Sequence, residues 1–232
     1  IIILRKKNFG LANNFIKGID YVVKKHGKII VLEDDNLTSP FFLNYMNEAL
    51  NLYSKNSKVA SISAYSYPID SKKKNYYFLR LADSWGWATW KRSWNLYEKN
   101  GNKLMKEIEK KNQSKEFNFE NSYDFMRILR NYCLKLNNSW SIRWYASMYL
   151  KNKLTLFPPK SFIENIGMDS SGVHADNTKD YRSKLIKKYI KPQKILVKES
   201  KYHFEKMKIF FNKIDKKNNL FNRIKKKIRF IK

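Results

Sequence analysis

The sequence predicts an α/β protein, a mostly parallel sheet flanked by helices, followed by a basic and largely helical C-terminal extension. Three observations carry this expectation. Apolar residues switch between helical spacing and short β-rich runs over the first sixty positions. The order strand, helix, strand, helix, strand calls for crossover connections, which place helices on the faces of a parallel sheet. Glycine then disappears after residue 178 while Lys and Arg multiply.

The elements follow in order. Ile1-Ile2-Ile3-Leu4, running into Arg5-Lys6-Lys7 with no Met at the start, reads as a buried strand entering a loop, and hence as part of a sheet whose earlier strands lie upstream. Leu11, Phe15, Ile19, Val22 and Val23 mark a helix over residues 11–26 that stops at Gly27. Lys28 to Leu32 is a short strand. Ser39 is placed to cap a second helix with Pro40 in its first turn, and Phe42, Tyr45, Met46, Ala49, Leu50 and Tyr53 form its apolar face. Val59 to Ile62 is the next strand.

With 43% apolar and 16% aromatic residues among 232, the chain can bury a sizeable core. The single Cys133 excludes an internal disulfide framework and suits a reducing compartment. No apolar stretch reaches the roughly 18 residues that span a bilayer, and no signal-peptide pattern opens the chain. A cytoplasmic protein is expected, with peripheral membrane association compatible with its charge. That charge is +28, from 48 Lys and Arg against 20 Asp and Glu. It admits nucleic-acid binding, attraction to an anionic membrane, or a compositional bias without function, and the last carries the most weight.

Against this basic background, three acids stand together in VLEDDNLTSP, directly after the second expected strand. Ligand sites of open α/β sheets lie beyond the carboxyl ends of strands, which is where Glu33-Asp34-Asp35 falls. Adjacent carboxylates repel one another and suit a divalent cation shared with a diphosphate, which it stabilises as a leaving group. A solvated acidic turn, or a charge cluster complementing the dipole of the next helix, explains them equally well.

Several stretches taken together resemble a known family. They are RKKNFGLANNFIKGI (5–19), IIVLEDD (29–35), SPFFLNYMNEAL (39–50), SWGWATW (84–90), WSIRWYASMYL (140–150) and NIGMDSSGVH (165–174). In this order they are similar to bacterial nucleotide-sugar glycosyltransferases of the GT-A, Rossmann-like fold. They are distantly similar to the N-acetylglucosaminyltransferase I group, which carries Glu-Asp-Asp where Asp-X-Asp is commoner. The resemblance covers 1–178, implying an N-terminally incomplete GT-A-like domain there and an extension over 179–232.

The resemblance implies that Asp35 ligates Mn²⁺ or Mg²⁺ and that Glu33 and Asp34 contact the donor ribose, sugar or metal-bound water. It places Arg5, Asn8 and Gly10 near the nucleotide, whose base pocket would lie upstream of Ile1. Trp85, Gly86 and Trp87 would line the acceptor or sugar pocket, where indoles stack on sugar C–H faces and Gly86 leaves room for a ring. Trp90 and Trp94, four apart, read better as core anchors. The polar loop with Ser170, Ser171 and Gly172 would close over the donor, and His174 would meet metal or diphosphate, although a lone loop histidine is more often only solvated.

Inverting displacement needs a carboxylate base. In the N-acetylglucosaminyltransferase I group it follows a Trp near the start of a late helix, whereas Trp140-Ser141-Ile142-Arg143-Trp144 holds no acid there. Asp83 is the substitute, with Glu164 and Asp169 behind it, and Arg143 is a candidate contact to phosphate or to acceptor charge.

From Lys206 to Lys232 the only acid is Asp215, and Phe210, Phe211, Ile214, Leu220, Phe221, Ile224, Ile228 and Ile231 fall near helical spacing between cations. This suits a helix on anionic lipid, near a lipid-linked acceptor, or one packed back on the domain with a solvated basic face. Three functions result. The first is metal-dependent, inverting transfer of a sugar from a nucleotide donor to a glycan or lipid-linked saccharide of a surface polysaccharide such as lipopolysaccharide. The second is a non-catalytic or truncated glycan-binding relic of that fold. The third is a basic nucleic-acid-binding protein, which no reader motif supports.

Overall fold

The computed structural model describes residues 2–168 and 178–229, with 218–229 as helix backbone. Helix α1 (Leu11–His26) ends at Gly27, whose φ of 75° is the left-handed cap that stops a helix, and its N–H bonds the Val23 carbonyl. The chain turns at once into β1 (Lys28–Val31), so α1 and β1 run antiparallel and the start of α1 lies at the carboxyl edge of β1. A short β2 (Asn36–Thr38) precedes α2 (Phe42–Leu52), and β3 (Val59–Ser63) follows. Ser39 is not the cap expected of it: α2 begins two residues after Pro40 with Phe41 as its N-cap and no side-chain cap bond, and Ser39 Oγ accepts the Phe41 N–H at 3.1 Å in the turn before it.

The rest of the chain adds β4 (Tyr77–Leu79), β5 (Trp87–Trp90), α3 (Lys91–Trp94), α4 (Gly101–Lys110), α5 (Ser114–Phe117), α6 (Phe125–Cys133) and α7 (Trp140–Leu150). Then come β6 (Leu154–Phe157), β7 (Ile163–Asn165) and α8 (Lys201–Arg229). The main sheet has the order β1-β5-β3-β6-β4, and β2 pairs with β7 in a small second sheet. Strands β1, β3 and β6 share one direction, as the crossover pattern predicts. The sheet is nevertheless mixed, because β5 inserts antiparallel between β1 and β3, and β4 pairs antiparallel with β6.

Alternation along the strands sends side chains to two helical layers. Ala88, Ile62, Phe78 and Leu156 pack with Tyr45, Met46 and Ala49 of α2. On the other face, Trp87 joins Ile19, Val23 and the α7 residues Trp140 and Trp144, while Tyr77, Leu79 and Phe157 meet α4, α6 and α8. Every residue of β3, β4, β5 and β6 is buried, which accounts for their apolar runs.

Two further expectations are corrected. Ile2 and Leu4 are 88% and 89% exposed and form no strand, since no described strand pairs with them. In α1 the buried face is Ala12, Ile16, Ile19 and Val23, with Leu11 outside it.

The chain after residue 178 packs on the same core. Its irregular part is pinned to the body by the Tyr76 and Tyr53 hydroxyls, which donate to the carbonyls of Ile190 and Gln193. Glu199 Oε1 accepts the Arg80 N–H at 2.8 Å. Met207, Phe210, Phe211 and Ile214 then bury one face of α8 against Phe119, Tyr145 and Phe157. Among the described residues no helix is long and apolar enough to cross a membrane.

Candidate functional site

Register brings the acids to one sheet edge. Trp87 pairs with both Val31 and Ser63, so the carboxyl ends of β1 and β3 flank the entry to β5. Glu33 to Asp35 leave that edge from β1, Ala64 to Ser66 leave it from β3, and Asp83 to Gly86 enter it toward β5.

Asp35 sits where β2 and β7 begin to pair. Its Oδ1 accepts from Asn36 Nδ2 at 2.6 Å and its Oδ2 from Asn165 Nδ2 at 3.0 Å, while its carbonyl takes the Ile166 N–H at 2.9 Å. Gly167 closes over the carboxylate so tightly that a Cβ there would lie 2.4 Å from Oδ2. Sequence reasoning singled out the 165–174 loop but missed Asn165 and Gly167 as the seat of Asp35. The only signal was their place in that polar, small-residue stretch.

Glu33 is partly buried, and its carboxyl is pushed up to about 7 by burial first and then by the charges of Asp35, Asp34 and Asp83. Among the described residues, none of the ion pairs involves the triplet. Asp83 is only 5% exposed and accepts a 2.7 Å hydrogen bond from Ser63 Oγ. Burial raises its carboxyl to about 7, against the lowering effect of Ser63 and the Ser84 and Trp85 backbone N–H groups. Two carboxyl groups at one edge, Glu33 after β1 and Asp83 on the chain entering β5, are thus each raised to about 7, chiefly by burial.

Among the described residues no group of three or more His, Cys, Asp or Glu is arranged to hold a metal ion. The site does not fit an all-protein cage. It fits a hard divalent cation held at one point by Asp35, whose oxygens each accept one amide N–H and keep lone-pair capacity, with the remaining shell from water or phosphate.

Other expected residues have structural duties. Asn8 Oδ1 accepts the Gly10 N–H at 2.7 Å, and Gly10, at φ 71°, turns the chain into α1. Arg5 is exposed, bonds Asn14 Oδ1 at 3.3 Å and lies over the Phe9 ring. All three therefore lie at the start of α1, on the same edge as the triplet. Glu164 pairs with Arg182 at 2.6 Å, which leaves Asp83 as the better-placed carboxylate. Asp169, the 170–172 loop and His174 lie outside the described residues.

Three expectations fail on packing. Trp87 is fully buried, stacked on Trp140 at 5.6 Å and flanked by Trp94 and Trp144, so it anchors the core and meets no acceptor. Gly86 leaves no room for a sugar ring, because a Cβ there would lie 2.9 Å from Ile163 Cγ2. Its φ of 55° serves a turn under close packing. Arg143 is buried, donates to the Ser139 and Lys99 carbonyls and lies over the Tyr132 ring, so its guanidinium braces α7 rather than meeting phosphate. Trp85 alone of that group stays partly exposed, edge-on to Tyr65 at 5.0 Å and to Tyr181 at 5.8 Å.

No protein-family model matches this chain, and no curated protein matches it.

Proposed function

We propose that the protein is a glycosyltransferase of the GT-A type, transferring a sugar with inversion from a nucleotide-sugar donor to a glycan or lipid-linked saccharide of a surface polysaccharide. The observation that carries this reading is that Asp35, beyond the carboxyl end of β1, and Asp83, on the chain entering β5, lie at one sheet edge, with Asp83 pushed up to about 7. A general base works best with a pKa near the operating pH, and a buried carboxylate at that edge meets the requirement.

In this reading Asp83 takes the proton of the acceptor hydroxyl as its oxygen bonds to the anomeric carbon. The bond from that carbon to the donor diphosphate breaks, and the nucleoside diphosphate leaves with the electron pair. When bound, Mn²⁺ or Mg²⁺ would supply positive charge for the departing diphosphate. Asp35 would hold that ion, Glu33 and Asp34 would face the donor ribose and sugar, and Arg5, Asn8 and Gly10 would line its nucleotide side; His174, outside the described residues, is assigned to the donor by the resemblance alone. Trp85 offers its exposed face to a sugar. The reaction belongs on the cytoplasmic side; because Met207, Phe210, Phe211 and Ile214 are taken by the core, only the basic face of the segment is left for anionic lipid.

Release of nucleoside diphosphate from UDP- and GDP-sugar panels, and of CMP from CMP-sugars, with Mn²⁺ tests the reading. Wild-type protein is expected to turn over one nucleotide class, and Asp83→Asn to lose turnover while still binding that nucleotide. Equal turnover by Asp83→Asn and wild type would remove Asp83 from the reaction.

A further inference from the structure

Five aromatic rings close on one another beside Asp83. Tyr65 meets Trp85 at 5.0 Å, Trp85 meets Tyr181 at 5.8 Å, Tyr181 meets Phe210 at 5.6 Å, Phe210 meets Tyr67 at 5.8 Å, and Tyr67 returns to Tyr65 at 4.8 Å. All five contacts are edge-on, at 68° to 87°, so in each pair the edge of one ring meets the face of the other. Tyr67, Trp85 and Tyr181 are partly exposed, whereas Tyr65 and Phe210 are buried behind them.

This wall is tied to the carboxylate by short bonds. The Trp85 backbone N–H bonds Asp83, and Ser63 Oγ bonds both Asp83 and the Tyr65 backbone N–H, at 2.7 and 3.1 Å. Two of the rings come from beyond residue 178. The Tyr65 hydroxyl donates to the Tyr181 carbonyl, and the Ser183 hydroxyl to the Ser66 carbonyl, which fixes that strap against the chain leaving β3. Phe210 arrives on α8, seated by Met207, Phe211 and Ile214.

We infer that Tyr181 of the C-terminal segment completes, with Tyr67 and Trp85 and backed by the buried Tyr65 and Phe210, an aromatic wall that receives the apolar face of an acceptor pyranose beside Asp83. A pyranose offers C–H groups on its face and hydroxyls at its rim. Aromatic faces beside one hydrogen-bond acceptor match both. The segment after residue 178 is then part of the acceptor site and not only a membrane-facing appendage. The word acceptor rests on the transferase reading; the binding of a sugar at this wall does not.

Saturation-transfer NMR with methyl hexopyranosides, run beside a titration with UDP, GDP and CMP, tests the inference on the full chain. Wild type is expected to saturate the C–H protons of at least one glycoside. Trp85→Ala and Tyr181→Ala are expected to weaken it about tenfold, the order of one lost stacking ring. Tyr181→Phe, which keeps the ring, and Tyr21→Ala, on the exposed side of α1, are expected to leave it unchanged, with circular dichroism reporting the fold of each. Three results overturn the inference: no glycoside saturated by wild type, saturation indifferent to both alanine variants, or the alanine variants losing nucleotide in place of glycoside. Loss of nucleotide binding in every form, with glycoside binding intact, would sink the transferase reading and leave the wall standing.

Discussion

Ser63 Oγ donates a 2.7 Å hydrogen bond to Asp83 Oδ2 at the point where β3 ends and the chain toward β5 begins. The bond favours the ionised carboxylate and works against burial, which pushes the group up to about 7. Ser63→Ala removes the lowering contribution, so the Asp83 pKa rises further. The acid limb of the pH–rate profile is expected to move to higher pH, and ¹³C titration of the Asp83 carboxyl checks the shift without an activity assay.

Asp83→Asn is expected to stabilise the fold near neutrality. The folded pKa of Asp83 is raised from 3.8 to about 7. Its favourable contribution is therefore complete below about pH 4 and is lost as pH rises through 7. By linkage the ionised group costs at most about 4 kcal/mol at pH 8. Urea unfolding at pH 5 and pH 8 should show the Asn variant gaining on wild type at the higher pH. A variant less stable than wild type at pH 8 would contradict the buried, unpaired state of this carboxylate.

His203 works in the opposite direction. Its ring stacks on Tyr77 at 3.7 Å, bonds Ser200 Oγ through Nδ1 at 2.8 Å, and is held down to about 4 by burial and then by Lys73. The stability it contributes is present above its unfolded pKa near 6.5 and is lost as pH falls toward 4. His203→Phe keeps a stacked ring without the titration, so its melting temperature should fall less than that of wild type between pH 7 and pH 4.

Trp85 and Trp87 are two residues apart and should respond differently. Trp87→Ala empties the centre of the tryptophan cluster and is expected to cost about 3 to 5 kcal/mol. Trp85→Ala removes a partly exposed ring, with an expected cost of about 1 kcal/mol. Denaturant midpoints of the two variants check the difference.

Gly167→Ala drives a methyl group into Asp35 Oδ2. The expected cost is about 1 to 3 kcal/mol, together with loss of any metal-dependent ligand response. A variant that melts and binds like wild type would mean that Asp35 is not seated as described.

Local patterns revealed α1, β1, α2 and β3 within one or two residues, because spacing, Gly27 and Ser39 act over short range. They also led to Glu33-Asp34-Asp35 at the correct sheet edge. The insertion of β5 between β1 and β3 was not legible, since pairing partners are set by tertiary contacts and the four residues Trp87–Trp90 are too short to announce a strand. Trp85 and Trp87 looked equivalent in sequence because neither the φ of 55° at Gly86 between them nor the close approach of Ile163 to Gly86 is visible in local spacing. Arg143 looked like an anion ligand because nothing local shows that the Ser139 and Lys99 carbonyls take its donors. Phe210, Phe211 and Ile214 were visible as an apolar stripe. That the stripe packs on the sheet's helical layer and reaches the aromatic wall required the fold.

The central claim is a metal-dependent nucleotide site at Asp35. A thermal-shift titration with UDP, GDP and CMP, each with and without Mn²⁺, on wild type and Asp35→Asn tests it most directly. At about 100 times the dissociation constant, a bound nucleotide should add roughly 2.7 kcal/mol of stability. The account predicts a shift with one nucleotide that requires Mn²⁺ and disappears in Asp35→Asn. No shift with any nucleotide, or a shift that Asp35→Asn retains in full, would contradict it.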